Sequence, residues 1–284
     1  MSGGNELMPL IQAYLIHHND PDRRPQREAI TALLVQLDLA VIPVVEQPPL
    51  APLPKGWLAR WALMRREWAK RSADFQQRRL REPHRALEWQ LRQHWTQLKG
   101  ALGLWRTPRT ALQQPWRHTQ VEAIVSGKHG RAWRQAQAAG VDCALVFEDD
   151  VSCQPDSLAR LAALLQALPS VQQQQPELYL DLAGGYPPEQ VLPLDQSLPG
   201  GTAIADWWLP AVHTNTACAY LASGPLLQRW LRALHLQPAL AELPIDHLIN
   251  CASARQAPQA PSGHWREPPF RHGSFCGLAR SWQQ

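Results

Sequence analysis

Residues 143–150 read CALVFEDD, five apolar residues followed at once by three acidic ones. A short apolar run that contains Val and Phe and ends in a polar segment is typical of a buried strand. The predicted strand, Cys143–Phe147, would carry Glu148, Asp149 and Asp150 at its carboxyl end. Ligands of open α/β sheets bind outside the carboxyl ends of the strands, so we expect a binding site there.

The first 45 residues predict a strand–helix–strand unit. Ala13–Ile16 is a short apolar run, apolar residues recur at helical spacing over Ile30–Leu37, and Val41–Val45 is β-branched apart from Pro43. Pro43 suits an edge strand because proline cannot donate to a sheet ladder. Such a unit favours a parallel sheet with helices packed on it.

The α/β pattern resumes beyond residue 120. We predict, in order, a strand Val121–Val125, a helix 130–139, the acidic strand, a helix that begins at Ser157, a strand Leu178–Leu182, a loop 186–210, a strand Thr216–Leu221, and helices after Ser223 and Pro244. These elements predict one domain over residues 1–284 with a mixed, mainly parallel sheet.

Residues 55–115 interrupt this pattern with Arg, Gln, Trp and Leu, and predict two helices, 56–81 and 84–102, inserted as a hairpin. Residues 55–81 hold nine Lys and Arg against two Asp and Glu, a net charge of +7. Three interpretations stay open at this stage: a solvated helix face, a cradle for an anionic acceptor, or peripheral contact with a membrane surface.

Composition limits where the chain works and what it binds. The formal net charge of +4 is compatible with nucleotide phosphates or an anionic surface without requiring either, and we expect no nucleic-acid partner. The five Cys residues are scattered and form no C-x-x-C pair, which favours a reducing compartment. With no secretory signal and no apolar run long enough to span a bilayer, we expect a cytoplasmic protein, at most peripheral to a membrane.

Three adjacent carboxylates at a strand end repel one another, and a cation would relieve the repulsion. Mg²⁺ and Mn²⁺ prefer oxygen ligands and commonly bridge carboxylates to substrate phosphates, so the sequence predicts a Mn²⁺ or Mg²⁺ cofactor. The alternative is an exposed acidic turn that caps the next helix through its dipole.

Several segments together resemble the family 25 glycosyltransferases, which include lipooligosaccharide and collagen galactosyltransferases. The main match is Ser126-Gly127-Lys128-His129, then Trp133, then the strand ending in Glu148-Asp149-Asp150. Further matches are Ala13–Ile16 followed by Arg23-Arg24, the strand Thr216–Leu221, Pro244-Ile245-Asp246, and a tail from His272-Gly273-Ser274 to Ser281-Trp282.

The resemblance implies a GT-A-like, Rossmann-related fold that binds a nucleotide sugar, most simply a UDP-sugar, through its acidic motif. It implies metal ligation by Asp150 and His272, and donor contacts from Arg23, Lys128, His129, Glu148 and Asp149. Asp246 would be the general base, with Asp181 as a competing candidate.

The expected function is therefore a divalent-metal-dependent, inverting glycosyltransferase that acts on a glycan or lipid-linked hydroxyl, as in lipopolysaccharide biosynthesis. Two alternatives share the clustered carboxylates or the fold. One is a metal-dependent phosphodiesterase or nuclease, and the other is a non-catalytic module that binds a nucleotide sugar.

Overall fold

The computed structural model describes residues 9–45, 48–81, 83–185 and 204–273. The tail segment Ser274 to Trp282, which resembles glycosyltransferases in sequence, lies outside these residues. The helices and strands are β1 (Ile11–Ile16), α1 (Arg24–Val35), β2 (Val41–Val44), α2 (Trp57–Arg81), α3 (Ala86–Arg106), α4 (Gln113–Ala138), β3 (Cys143–Glu148), β4 (Val151–Cys153), α5 (Ser157–Gln174), β5 (Tyr179–Asp181), β6 (Trp207–Leu209), β7 (Ala219–Ser223), α6 (Gly224–Leu236), α7 (Ile245–Gln256), β8 (Ser262–His264) and β9 (Phe270–His272).

The described residues form a seven-stranded sheet in the order β2-β1-β3-β7-β5-β8-β6 and a separate β4-β9 pair. Five of the seven strands run in one direction, and β7 and β6 oppose them. The prediction of a mixed, mainly parallel α/β sheet is therefore confirmed.

The N-terminal strand–helix–strand unit is also confirmed. β1 pairs in parallel with β2, and α1 lies between them in sequence. The edge position predicted from Pro43 is confirmed as well, because β2 is the first strand in the sheet order.

The sheet is covered on both faces, which explains its nearly continuous apolar strands. Side chains alternate along a strand, so Ala13 and Leu15 pack on one face with α1 and α5. Tyr14 and Ile16 pack on the other face with α4, α6 and α7. The carboxyl ends of β1 and β3 therefore emerge from a rigid, buried core.

The predicted strand Val121–Val125 is wrong. These residues lie in the middle of α4, a single helix that also absorbs the separate helix predicted at 130–139. Val121, Ile124, Val125 and Lys128 recur at helical spacing and line the same cleft. With no turn signal on either side, this helical face outweighs the local β-propensity of Val and Ile.

The predicted loop 186–210 is wrong at its end, and the residues before 204 lie outside the described part. Trp207–Leu209 forms β6, which pairs with β8, and both tryptophans are buried. The late strand begins at Ala219 rather than Thr216, and the Cα partner of Ala219 is Phe147 of the acidic strand.

The helical hairpin forms close to its predicted bounds, as α2 and α3. α2 packs against α4 and α7, with Ala69 and Ala73 reaching the core beneath α4. Among the described residues, no helix is both long and apolar enough to cross a bilayer.

Candidate functional site

The backbone around the acidic triplet is fixed by its neighbours in the sheet. The amide of Glu148 donates to the carbonyl of Cys218 at 2.7 Å, and the amide of Asp149 donates to the carbonyl of Ile16 at 3.0 Å. Asp150 accepts at its carbonyl oxygen from the amide of Gly273 at 2.6 Å. The backbone of each acidic residue is thus anchored to a different segment of the chain.

The Glu148 side chain is held from behind by a chain of buried polar groups. Nε2 of His129 lies 3.0 Å from Oε1 of Glu148, and Nδ1 lies 2.9 Å from the Tyr220 hydroxyl. The Trp133 indole donates to the same hydroxyl at 2.8 Å. One arrangement uses each donor once: Trp133 to Tyr220, Tyr220 to Nδ1, and Nε2–H to the Glu148 carboxylate.

His129 does not lie where donor phosphates would bind. It is fully buried, both ring nitrogens are engaged, and burial together with the nearby Lys128 lowers its pKa to about 3. A neutral imidazole behind Glu148 orients that carboxylate. The expected contact between His129 and the donor is therefore replaced by an indirect role.

Asp149 is buried among cations from the segment that follows β1. Arg23 donates from Nη1 to Oδ1 at 2.9 Å, and the side chains of Arg27 and His18 each approach Oδ2 to 3.7 Å. Arg23 also lies 3.6 Å from Oδ2 of Asp150. The guanidinium of Arg23, for which the sequence predicted a donor contact, spans two carboxylates of the acidic motif.

Asp150 meets a residue from a distant part of the chain. β9 pairs antiparallel with β4, which brings Nε2 of His272 to 3.2 Å from Oδ2 of Asp150. Cys218, just before β7, completes the group, and the candidate ligand atoms of the three residues all lie within 4.8 Å of one another. The two metal ligands expected from sequence are thus brought together, with a thiol beside them.

The electrostatics of this end of the sheet favour a bound cation. Burial, with the nearby Glu148 carboxylate, raises the pKa of Asp150 to about 6, and burial raises that of Glu148 to about 7. Among the described residues, Oδ1 of Asp150 and Oδ2 of Asp149 are buried and accept no hydrogen bond. Buried charges are costly unless they are paired or bind a metal, and a divalent ion would supply the missing partner.

The Cys218 thiol would influence which metal ion the group prefers. Carboxylate and imidazole suit Mn²⁺ and several other divalent ions, whereas a thiolate favours softer ions such as Zn²⁺. In the metal-free protein, burial raises the pKa of the Cys218 thiol well above its ordinary value. The group of residues fits a divalent ion, and Cys218 is the residue that would discriminate between ions.

A cleft of about 190 Å³ opens on the outer side of Glu148 and Asp149. One wall is apolar and comes from α4 and Leu50, and the other is polar and comes from the end of β1. Lys128 lies at the junction, where its ammonium donates to the carbonyl of His17 at 2.7 Å. The full lining is Ile16, His17, His18, Arg23, Leu50, Arg117, Val121, Ile124, Val125, Lys128, Glu148 and Asp149.

The two candidate bases occupy different environments. Asp246 lies in the first turn of α7, near enough to Glu148 for its charge to contribute to the raised pKa of that residue. Asp181 is fully buried; its Oδ1 accepts from the amides of Ala183 and Gly184, each at 3.0 Å. Asp181 therefore stabilises a turn, and Asp246 is the better candidate for contact with an acceptor.

Sequence reasoning missed Cys218 and Tyr220. The available signal was the late strand: when such a strand runs antiparallel to the acidic strand, the residues at its start lie beside the acidic end.

Neither a comparison with models of known protein families nor a search of curated proteins finds a match to this chain. Fold and site together define an α/β protein with a polar cleft at the carboxyl edge of its sheet and, beside it, a group of residues that could hold a metal ion.

Proposed function

We propose that the protein is a metal-dependent glycosyltransferase of GT-A type, similar to the family 25 enzymes, that uses a nucleotide sugar. The observation that carries this proposal is Asp150, whose buried Oδ1 accepts no hydrogen bond and which is grouped with His272 and Cys218. Its neighbours in sequence, Glu148 and Asp149, line a partly basic cleft. Such a site calls for a divalent ion and an anionic ligand together.

The donor would lie in the cleft beside α4. Its apolar wall of Leu50, Val121, Ile124 and Val125 suits a flat base, and Lys128, His17 and His18 lie at the polar end, where a diphosphate would be placed. The cleft volume of about 190 Å³ is below the usual range for a complete small-molecule site. In this proposal the cleft takes only the nucleoside, and the sugar would extend toward the carboxylates.

Asp150 and His272 would hold a Mn²⁺ or Mg²⁺ ion, which when bound neutralises charge that develops on the diphosphate leaving group. Arg23 would support this by pairing with Asp149 and Asp150 and holding both side chains in place. His129 would keep Glu148 in a single orientation toward the donor.

Inverting transfer requires a carboxylate that takes the proton from the acceptor hydroxyl as it attacks the anomeric carbon. Asp246 is the proposed base, because it approaches the acidic triplet from α7, an element that contributes nothing to the donor cleft lining. The acceptor would be a hydroxyl of a glycan or of a lipid-linked sugar.

The test is a screen of UDP- and GDP-sugars for donor hydrolysis with and without Mn²⁺. We expect metal-dependent hydrolysis of one donor and its loss in Asp150→Asn. Asp156→Asn is the matched control, because Asp156 is an exposed carboxylate of the same region outside the cleft. Hydrolysis that is equal in Asp150→Asn and wild type would overturn the metal role.

The same screen separates the other classes. Cleavage of a simple phosphodiester without any sugar donor would replace the proposal with a phosphodiesterase. Tight nucleotide-sugar binding with no turnover on any donor or acceptor would replace it with a binding module.

A further inference from the structure

The outward face of α3 is apolar. Residues at successive spacings of four, four, three, four and three keep at least half of their surface exposed, which places them on one side of the helix. They are Leu87, Leu91, Trp95, Leu98, Leu102 and Trp105. We call these six residues the outer stripe.

The inward face of α3 mixes polar residues with small and apolar ones, so the large apolar side chains of this helix are mainly on its outer side. α3 packs mainly on α2. At that contact Gln93 and Gln97 donate to the Ser72 hydroxyl at 3.1 and 3.4 Å, and Gln97 is buried. A helix with its apolar face turned outward is arranged for contact with something other than its own domain.

A row of basic residues runs beside the outer stripe. At about 100° per residue, the stripe covers an arc of about 80°, and Arg92, Lys99 and Arg106 fall on an adjoining arc at seven-residue spacing. The Lys99 ammonium lies over the Trp95 ring, 5.1 Å from its centre, which is a cation–π contact between the basic row and the stripe.

The net charge of the helical hairpin is opposite in sign to that of the rest of the chain. Residues 55–115 contain 14 Lys and Arg against 4 Asp and Glu, a net charge of +10. The remaining residues contain 14 against 20, a net charge of −6. An anionic surface would attract the hairpin and repel the rest, which orients the molecule with α3 toward that surface.

We propose that α3 lies in the plane of an anionic lipid bilayer, with the outer stripe inserted at the headgroup boundary. Leu and Trp on one face with Lys and Arg beside them are the composition of interfacial helices. Trp57, Trp61 and Trp68 of the neighbouring helix α2 are exposed as well. An antiparallel second copy on the stripe fits poorly, because it would set the basic row against its own copy.

The experiment is vesicle flotation of the full chain with phosphatidylcholine alone and with about 30% phosphatidylglycerol added. We expect binding to the anionic vesicles, weakened in high salt because the attraction is screened. Leu91→Gln combined with Leu98→Gln should lower partitioning at least about tenfold, since two inserted side chains lose their apolar transfer energy.

Gln90→Ala combined with Thr96→Ala is the matched control, because both residues are exposed on α3 outside the stripe. It should change binding by less than about twofold. Circular dichroism and the unfolding midpoint establish that each variant is folded. Absence of anionic-vesicle binding in the wild type, or equal binding by the Leu variant, would overturn the proposal. The proposal would also be overturned if the wild type and the control variant formed a stable dimer and the Leu variant did not. Because vesicle binding needs no sugar donor, failure here is separate from failure of the proposed activity.

Discussion

Nε2 of His129 lies 3.0 Å from Oε1 of Glu148, while the opposite side of the same ring contacts the Tyr220 hydroxyl at 2.9 Å. One buried imidazole therefore links an acidic residue at the rim of the cleft to the aromatic core under the sheet. Because both ring nitrogens are used, the orientation of Glu148 depends on a residue that no ligand touches.

His129→Phe should lower the free energy of unfolding by roughly 1–3 kcal/mol, because a buried acceptor and a buried hydroxyl each lose a partner. Phe keeps the ring that stacks on Tyr220 at 5.7 Å. Urea denaturation measures the loss. Tyr220→Phe also removes two hydrogen bonds, those with His129 and Trp133, and should cost a similar amount. A cost near zero for either variant would contradict the chain of donors.

Asp150→Asn should have opposite effects on stability and on metal binding. Burial raises the pKa of Asp150 to about 6, so the ionised side chain at pH 8 is a net cost to the metal-free protein. In chelator, the variant should be more stable than wild type at pH 8, by roughly 1–3 kcal/mol. Calorimetry should find its Mn²⁺ binding abolished. A variant that is less stable and still binds Mn²⁺ would contradict this electrostatic account.

Cys218→Ser should separate hard from soft ions. A hard ion held by Asp150 and His272 needs no thiolate, so Mn²⁺ affinity should change by less than about threefold. Zn²⁺ affinity should fall about tenfold or more if the thiol ligates that ion, because a hydroxyl is a poor substitute. Competition titrations of both ions measure this. A large loss of Mn²⁺ affinity would make Cys218 part of the catalytic ion's coordination.

Asp181 should make the free energy of unfolding depend on pH, independently of any metal. Burial raises its pKa from 3.8 to about 6, so between these values the folded protein binds the proton more tightly than the unfolded chain. Its contribution to stability is therefore most favourable below about pH 4 and declines as pH rises to about 6. His264, at 3.9 Å, does not offset this, because burial lowers the histidine pKa to about 4 and leaves it neutral.

Asp181→Asn removes that decline. Oδ1 of the new amide can still accept from Ala183 and Gly184, and its NH₂ group can donate to Thr214. The variant should match wild type near pH 4 and exceed its stability by roughly 1–3 kcal/mol at pH 7. Denaturant titrations across this range measure the difference, and a constant offset at every pH would show that Asp181 does not titrate as described.

Asp246→Asn should lower sugar transfer about 100-fold or more while leaving donor binding unchanged, because a general base typically contributes that much. Single-turnover transfer and donor calorimetry measure the two quantities. Glu242→Gln is the control, since it removes a carboxylate just ahead of α7 that instead pairs with Arg65. Wild-type transfer by the Asp246 variant would place the base elsewhere.

The sequence predicted the parts of the fold that local pattern controls. Cys143–Phe147 is apolar without interruption because both sheet faces are covered, and Pro43 marked the edge strand correctly. The prediction of a strand at Val121–Val125 was wrong because β-branched residues also suit a helix when one of its faces is buried. β6 was missed because its three residues follow a Pro- and Gly-rich segment.

The site was predictable only to the extent that it is local. Glu148, Asp149 and Asp150 are adjacent in sequence, so their common strand end could be predicted. The roles of Asp150 and His272 as metal ligands were predicted only from the family resemblance. Cys218 was predicted neither from local pattern nor from resemblance, because only the antiparallel pairing of β7 with β3 brings it close to Asp150. Long-range strand order is tertiary information that no window of sequence contains.

The pairing of β4 with β9 also constrains when the centre can exist during synthesis. Asp150 and His272 are 272 − 150 = 122 residues apart. At about 5–20 residues per second, a ribosome needs roughly 6–24 s to cover that distance. Throughout that interval the nascent chain exposes an acidic strand end without its histidine. An ion that needs both residues could therefore bind only late in biogenesis, and a polypeptide truncated before Phe270 would lack His272 of the candidate metal-binding group.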